Sequence, residues 1–256
     1  PMAAAIEAME AVFRADHVGE TVCPPRTVID QSLGPGRDRS LMLAMPAAWS
    51  GHGVGAKVSS FIGDNAAHGL PAVQGVATLL EIETGAPCLL VDAAALTSRR
   101  TAAMVGLATR ELSEPAVRSL GIIGTGALAA EMIEAVTAVR PIERVWLYNR
   151  SVDKARRLAE SLEVEARVLE SPEAVAERSE VLVLATSSTE PVVNDASVPA
   201  GAHVNAVGNF SPRGRELEGT TVARSEIWVD SYEGYESEAG DILLAAAEGR
   251  IPAGRE

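Results

Sequence analysis

A strand, a glycine turn and a helix follow one another near the middle of the chain, and they constrain the fold more than any other stretch. Leu120–Ile123 is a short apolar run typical of a buried strand, and Ala127–Val139 carries apolar residues at helical spacing. Between them lies Gly124-x-Gly126-x-x-Ala129, a fingerprint with alanine at its tolerated third position. The first glycine permits the turn, and the second lets backbone approach a pyrophosphate at the start of the helix. This context predicts dinucleotide binding rather than an ordinary glycine turn.

Charge and composition exclude several classes of function. The 256 residues carry a net charge of −13, which argues against nucleic acid and anionic membranes as partners. Cys23 and Cys88 form no zinc or CxxC pattern, so we expect reduced thiols in a cytoplasmic protein. The four histidines have no ligand spacing, and we expect no metal site. We also expect no signal peptide and no membrane span, because no apolar run is long enough.

The pattern of strands changes near residue 100 and predicts two domains. In residues 1–100, strands follow one another with little helix between them, which indicates a largely antiparallel or mixed sheet. In residues 101–235, strands alternate with helices, which indicates a doubly wound parallel sheet. The predicted fold class is therefore α/β, a Rossmann sheet preceded by an α+β sheet domain. Part of residues 236–256 is a candidate for returning to the first domain.

Several individual elements are also predicted. Thr97 is a plausible N-cap for a helix from Arg99 to about Leu112. Glu236–Glu248 is predicted as one last helix, in which solvated positions are common for residues such as Asp241. Gly34–Arg39 is predicted as a turn. The predicted strands are Thr21–Gln31 (interrupted by Pro24 and Pro25), Ser40–Ala47, Val54–Ile62, Val73–Glu83, Cys88–Val91, Leu120–Ile123, Arg144–Tyr148, Ala166–Leu169, Val181–Thr186, His203–Val207 and Ile227–Asp230.

The end of the second strand of the parallel sheet indicates which cofactor is bound. An acidic residue there would bind the ribose hydroxyls of NAD, but the chain has Tyr148-Asn149-Arg150-Ser151. Arg150 offers a donor fork to a 2′-phosphate, so we expect NADP(H), with a merely solvated Arg150 and NAD(H) as the alternative. Candidate cofactor-binding residues lie in the glycine turn, at this strand end and past the next strands: Gly124, Thr125, Gly126, Ala127, Leu128, Asn149, Arg150, Ser151, Ala185, Thr186, Ser187, Val207 and Gly208.

Cations in the first half are open to two interpretations. Arg99 and Arg100 stand at the predicted start of a helix, where its positive end disfavours them unless an anion is near. That anion is a substrate carboxylate or a buried protein carboxylate. Lys57 lies on a predicted strand, where a lysine is usually solvated, and Arg26 lies on another and could equally be a surface residue, so local reasoning singles out neither.

Together these segments resemble the ornithine cyclodeaminase/μ-crystallin family. The resemblance covers residues from about 24 to 245, and its most specific part is the ordered set GxK, N-x-x-x-GLP and LT-x-x-RTAA. It implies a first domain that also forms a homodimer, and a Rossmann second domain. The matching segments are PPRTVID, AMPA, GAKVSSFIGDNAAHGLP, ETGAP, LTSRRTAA, GTGALA, VNAVGNFSPRGREL and EAGDI.

The resemblance also implies roles for the cations. Arg26, Lys57 and Arg100 match the positions that bind the substrate α-carboxylate, with Lys57 near the reacting carbon and nitrogen. The implied chemistry is nicotinamide-dependent, on an amino or imino acid. Members include ornithine and lysine cyclodeaminases, alanine dehydrogenases, ketimine reductases and a thyroid-hormone-binding branch.

Three departures from the family pattern bear on this choice. Cyclodeaminases carry an aspartate two residues before the proline of the VGxxxP turn, where this chain has Phe210. An aromatic ring cannot pair with a side-chain ammonium, so Phe210 favours an imine reductase with an apolar substrate ring. Leu128 replaces a glutamine common in the family, and the segment that returns to the sheet domain is expected to be missing after Glu256.

We therefore expect an NADP(H)-dependent reductase of a small imino acid such as Δ1-pyrroline-2-carboxylate. In this hypothesis Lys57 and Arg100 are catalytic, and Arg26, Lys57, Arg100 and Phe210 bind the substrate. One alternative is an NAD(H)-dependent cyclodeaminase or alanine-type dehydrogenase. Another is a non-catalytic protein that binds NADP(H) or another ligand.

Overall fold

The computed structural model describes residues 1–30, 40–209 and 211–252, apart from the side chain of Ala66. The chain forms two compact units. The first unit is Glu7–Arg100, and the second combines Pro1–Ile6 with the chain from Thr101 onwards. The predicted turn over residues 34–39 lies outside the described residues.

The first unit is built on an antiparallel sheet. Along the described residues its strands are β1 (Thr21–Val22), β2 (Thr27–Asp30), β3 (Ser40–Trp49), β4 (Gly53–Ile62), β5 (Val73–Leu80) and β6 (Pro87–Asp92). They are ordered β1-β3-β4-β5-β6, and β2 pairs with β3 as well. The long hairpin of β3 and β4 pairs from Ser40↔Ile62 to Trp49↔Gly53. The sheet confirms the antiparallel arrangement predicted for this half.

The second unit contains a parallel sheet. In the part of the chain that is described, its strands are β7 (Ser119–Ile123), β8 (Arg144–Tyr148), β9 (Glu165–Val168), β10 (Val181–Leu184) and β11 (His203–Ala206). They lie in the order β11-β10-β7-β8-β9. All four residues of β10 are fully buried, as expected for a parallel sheet covered on both faces. The strand order confirms the predicted doubly wound fold.

Helices accompany both sheets. In chain order they are α1 (Met2–His17), α2 (Ala93–Leu112), α3 (Ala129–Val139), α4 (Val152–Ser161), α5 (Pro172–Ala176), α6 (Gly219–Ala223), α7 (Tyr232–Glu238) and α8 (Gly240–Ala247). Helix α8, from the segment proposed to return to the first domain, belongs to the second unit. Along the described residues, no helix has the length and apolar character needed to cross a bilayer.

The start of α2 differs from the sequence prediction. The helix begins at Ala93, not beyond Thr97, and Asp92 is the residue that caps it: its Oδ1 accepts a hydrogen bond from Ala95 N at 2.7 Å. Arg99 and Arg100 therefore lie in the second and third turns. The argument that they face the positive end of the helix dipole was wrong.

Two predictions near the end of the chain were also wrong. Ile227–Asp230 pairs with no strand of the described chain, and Trp228 within it is 64% exposed. The predicted last helix is divided into α7 and α8 at Ala239. Ala239 has a φ of −76° and a ψ of 72°, outside the helical region. The next residue, Gly240, lets α8 lie close to the preceding loop, because a Cβ there would lie 2.0 Å from the carbonyl oxygen of Gly214.

Candidate functional site

Lys57 lies in the middle of the antiparallel sheet and points towards helix α2. It pairs with Met45 on β3 and with Ala77 on β5. Its side chain is half-buried, and Nζ donates a hydrogen bond to Thr97 Oγ1 at 3.0 Å. A lysine held by one hydroxyl in this way is a positioned group rather than a freely solvated one.

Two arginines act on Lys57 electrostatically. Arg26 directly precedes β2, whose first residue, Thr27, pairs with Ala44. The same register places Arg26 opposite Met45, the residue that pairs with Lys57 on its other side. Arg100 follows Thr97 by three residues on α2, a spacing that keeps both on one face of the helix. Burial, then Arg100, then Arg26, lower the pKa of Lys57 to about 8.

We call Arg26, Lys57 and Arg100 the cation cluster. Like charges gathered around a half-buried ammonium raise the free energy of its charged form, and a bound anion relieves that cost. The arrangement is therefore suited to a carboxylate. Arg99, its neighbour on α2, is exposed.

Thr97 was not predicted as a site residue. It was interpreted as a helix cap because a threonine before a run of helix-forming residues has that role often. In the structure Asp92 caps the helix, so Thr97 is an interior helical residue, and its hydroxyl accepts the hydrogen bond from Lys57.

The glycine turn after β7 has the conformation that the fingerprint requires. Gly124 has a φ of +99°, in the left-handed region that favours glycine. Its N–H donates to the carbonyl oxygen of Tyr148 at 2.9 Å, and Thr125 N donates to Asn149 Oδ1 at 3.4 Å. These bonds hold the turn against the end of β8, where Asn149 begins the predicted ribose-binding segment.

Two observations at this turn fit a pyrophosphate. A Cβ added at Gly126 would meet no atom of the described residues within 4 Å, so the backbone faces open space. The hydroxyl of Thr125 is buried and has no hydrogen-bond partner in the part of the chain that is described. A ligand with phosphate oxygens would satisfy that donor.

The segments past β10 and β11 meet the glycine turn. A Cβ at Gly208 would lie 2.2 Å from both N and O of Thr186, and one at Gly124 would lie 2.5 Å from the carbonyl oxygen of Ala185. Glycine is required at both positions by this close approach. Val207 N donates to the carbonyl oxygen of Leu184 at 3.0 Å, which brings the ends of the two strands together.

The remaining predicted cofactor residues are distributed around the same edge of the sheet. Ala127 and Leu128 lie in the turn before α3, and Ser187 follows Thr186 at an exposed position. Arg150 and Ser151 are exposed after β8, and Arg150 makes no ion pair within the described ranges. Phe210 lies outside the described residues.

A buried carboxylate near this edge was not anticipated. Glu216 has no exposed surface, and its carboxylate accepts hydrogen bonds from Thr186 N, Thr186 Oγ1 and Gly208 N at 2.7, 2.7 and 2.8 Å. Burial raises the pKa of Glu216, while these hydrogen bonds act in the opposite direction. No sequence pattern indicates such a residue, because its partners are 8 and 30 residues away in the chain.

Asp241 is not the solvated helix residue that its position suggested. Its Oδ1 accepts hydrogen bonds from Glu216 N at 2.8 Å and Leu217 N at 2.7 Å. Burial raises the pKa of the Asp241 carboxyl. No local sequence signal indicated this role, because Asp241 lies inside the predicted helix and its two partners are 25 and 24 residues away in the chain.

Comparison with known proteins confirms the resemblance. The model of the ornithine cyclodeaminase/mu-crystallin family matches residues 1–252. A Δ1-pyrroline-2-carboxylate reductase of Bacillus cereus is 33% identical over 239 residues, which cover 91% of this chain and 72% of that protein.

Two solved structures have a similar fold. The Δ1-pyrroline-2-carboxylate reductase of Thermococcus litoralis, in complex with NADH and L-proline, matches with a TM-score of 0.92 at 33% identity, over 98% of this chain and 78% of that one. An archaeal alanine dehydrogenase, a dimer with bound NAD, matches with a TM-score of 0.89 at 30% identity, over 98% and 76% of the two chains.

Proposed function

Because this chain belongs to the ornithine cyclodeaminase/μ-crystallin family, we propose that it is an NADP(H)-dependent reductase of a small imino acid. Δ1-Pyrroline-2-carboxylate, reduced to proline, is the proposed model substrate. The observation that carries the proposal is the cation cluster around Lys57, whose pKa is lowered to about 8 by burial and by the two arginines. Relatives that share the fold are named as reductases of this substrate.

In the proposed mechanism, the cation cluster binds the α-carboxylate and fixes the orientation of the adjacent C=N bond. Arg26 and Arg100 contribute permanent charge, while Lys57 both binds the anion and exchanges a proton at Nζ. Thr97 holds Nζ through the 3.0 Å hydrogen bond, which limits the rotamers that Lys57 can adopt. When bound, the cofactor supplies the hydride that reduces the imine carbon.

The residues proposed to hold the dinucleotide lie at the carboxyl edge of the parallel sheet. Thr125 and Gly126 would face the pyrophosphate, and Arg150 with Ser151 would bind the 2′-phosphate of NADP(H). The support for NADP(H) is the absence of an acidic residue in Tyr148-Asn149-Arg150-Ser151, together with the exposure of the Arg150 guanidinium. Nicotinamide binding itself is supported by two relatives that contain NADH or NAD.

We further propose a homodimer formed through the first unit. Leu90 pairs with Thr78, and Thr78 with Ala56, so Val54, Val76 and Leu90 share one face of the sheet. These three side chains are 38%, 49% and 69% exposed. An apolar sheet face of this kind fits a second copy, and the related alanine dehydrogenase is a dimer.

An NAD(H)-dependent amino-acid dehydrogenase is the second candidate, because the archaeal alanine dehydrogenase matches nearly as well as the reductase. A spectrophotometric assay separates the two. The purified protein is mixed with NADPH or NADH and with either Δ1-pyrroline-2-carboxylate or pyruvate plus ammonium. Oxidation of NADPH by the cyclic imine supports the reductase, whereas activity confined to pyruvate, ammonium and NADH supports the dehydrogenase. NADPH binding without turnover of any imino acid would contradict both.

A further inference from the structure

Glu216 connects two backbone segments that border the proposed cofactor site. One carboxylate oxygen accepts from N and Oγ1 of Thr186, past β10, and the other accepts from Gly208 N, past β11. The two segments already approach so closely that a Cβ at Gly208 would overlap the backbone of Thr186. The carboxylate therefore fixes the spacing and orientation of both segments at once.

The backbone at Glu216 is itself held in place by a second carboxylate. Asp241, in the first turn of α8, accepts the N–H groups of Glu216 and Leu217. Gly240 lets α8 approach the loop at residues 211–214, since its Cβ would lie 2.4 Å from the carbonyl oxygen of Ser211. The motif EAGDI, which the proposed reaction does not use, is explained by this support.

Burying a carboxylate between two loops is energetically unfavourable, because the charge loses its hydration. Apolar side chains could fill the same volume without desolvating a charge, so stability alone is a poor reason for its presence. What a carboxylate adds is several acceptor sites in a fixed plane, which can orient two backbone N–H groups simultaneously. Such orientation matters most where a ligand has to be held in one geometry.

We propose that Glu216 is a positioning residue: it holds the segments at Thr186 and Gly208 in the geometry that the nicotinamide half of the cofactor requires. Asp241 on α8 in turn holds the backbone of Glu216. The inference rests on the proposed function, because it assigns Thr186 and Gly208 to the cofactor site. In this role Glu216 acts through its hydrogen bonds to Thr186 and Gly208 rather than by touching cofactor or substrate.

Glu216→Gln tests the proposal with little change of volume. The amide has one acceptor oxygen, so at least one of the N–H groups of Thr186 and Gly208 faces an amide N–H. We expect about tenfold weaker binding of NADPH and NADH alike, a loss typical of residues that act indirectly on a site. We also expect faster hydrogen exchange at the amides of Thr186 and Gly208. Cofactor binding is measured by fluorescence without substrate, so a failure of the proposed reaction would not affect this measurement.

Glu180→Gln is the matched control. Glu180 Oε2 also accepts three hydrogen bonds, from Arg118 N, Ser119 N and Ser119 Oγ, but at the amino-terminal edge of the same sheet. This variant is expected to lower the melting temperature and to leave the cofactor Kd unchanged. If both variants change only the melting temperature, Glu216 is merely structural and the proposal is overturned.

Asp241→Ala provides a second measurement if Glu216→Gln does not fold. It removes the acceptor for Glu216 N and Leu217 N but leaves the Glu216 carboxylate in place. We expect about threefold weaker cofactor binding and faster exchange at the Gly208 amide, a smaller effect because Asp241 acts only through Glu216. Unchanged binding and exchange in this variant would overturn the proposal.

Discussion

At the scale of single residues, the pKa of Lys57 has a consequence for pH dependence. Below about pH 8 the amino group of Lys57 is protonated and attracts the substrate carboxylate. Above that pH the amino group is neutral and this attraction is lost. We expect kcat/KM for imino-acid reduction to fall as the pH rises through about 8. In the kcat profile the same limb lies at higher pH, because the bound anion raises the pKa of Lys57.

Lys57→Arg tests whether the fall of kcat/KM near pH 8 is caused by the titration of Lys57 or by that of the substrate. A guanidinium stays charged above pH 12 and so removes the Lys57 titration from the accessible range. We expect the alkaline limb of kcat/KM to disappear and kcat to decrease, because Nζ no longer exchanges a proton. A limb that persists unchanged at pH 8 in Lys57→Arg would assign it to another group.

Arg150 is expected to determine the choice of cofactor. Removing a charge-assisted contact with the 2′-phosphate costs about 1.5–3 kcal/mol, or roughly tenfold to a hundredfold in Kd. Arg150→Ala should therefore weaken NADPH binding by about that factor and leave NADH binding nearly unchanged, as measured by fluorescence titration.

Arg156→Ala is the control for net charge, since Arg156 is exposed on α4 and lies 3.7 Å from Asp153. It should leave the ratio of NADPH to NADH affinity unchanged. Equal losses for both cofactors in Arg150→Ala would argue against NADP(H) specificity.

At the scale of elements, the strand–turn–helix unit contains one glycine that is proposed to leave room for the cofactor and another that leaves room for core packing. Gly126 faces open space, whereas a Cβ at Gly121 in β7 would lie 2.1 Å from Ser179 Oγ. Gly126→Ala should leave the melting temperature nearly unchanged but weaken dinucleotide binding by about tenfold or more, because the methyl group occupies the place of the pyrophosphate.

Gly121→Ala should show the opposite behaviour. Overpacking costs about 1–3 kcal/mol, which corresponds to a fall of roughly 2–10 °C in the melting temperature of a chain of this size. Its cofactor Kd at a temperature well below the transition should stay within about twofold of the original. Thermal unfolding and fluorescence titration of both variants check the pair, and a stable Gly126→Ala that binds normally would contradict the fingerprint.

Elements with strong local signals could be predicted from the sequence. The parallel strands are continuous apolar runs between helices, and glycine occupies the turn, so local composition determines both. The start of α2 was missed because Asp92 and Thr97 are both acceptable caps, and the local sequence does not show which of them accepts the helical N–H; in the structure it is Asp92. Ile227–Asp230 has the composition of a strand, but strand formation needs a neighbouring edge that composition does not reveal.

The candidate site likewise contains residues that could be predicted from the sequence and one that could not. Lys57 and Arg100 were proposed from motifs, and their proximity appears only when sheet and helix pack together. Glu216 could not be found in this way. Its acceptor role depends on backbone N–H groups that the folding of two separate strands brings within 3 Å.

At the scale of the whole molecule, the exposed face of the antiparallel sheet predicts association. Leu90→Glu places a charge on that face, and its burial in a dimer would be strongly unfavourable. We expect this variant to sediment as a monomer while the unchanged chain sediments as a dimer. Val152→Glu, which alters a 45% exposed residue on α4 of the second unit, should not change the oligomeric state. A monomeric unchanged chain would contradict the proposed interface.

The apolar face of the first unit also affects how robust this protein is on dilution. Val76 and Leu90 remain 49% and 69% exposed in a single copy, so a second copy could supply at most that part of the about 1.5–3 kcal/mol that full burial of such a side chain contributes. If a second copy supplies that burial, part of the folding free energy depends on mass action. The temperature of unfolding would then rise with protein concentration, and a sample diluted into the nanomolar range would lose activity sooner than a concentrated stock.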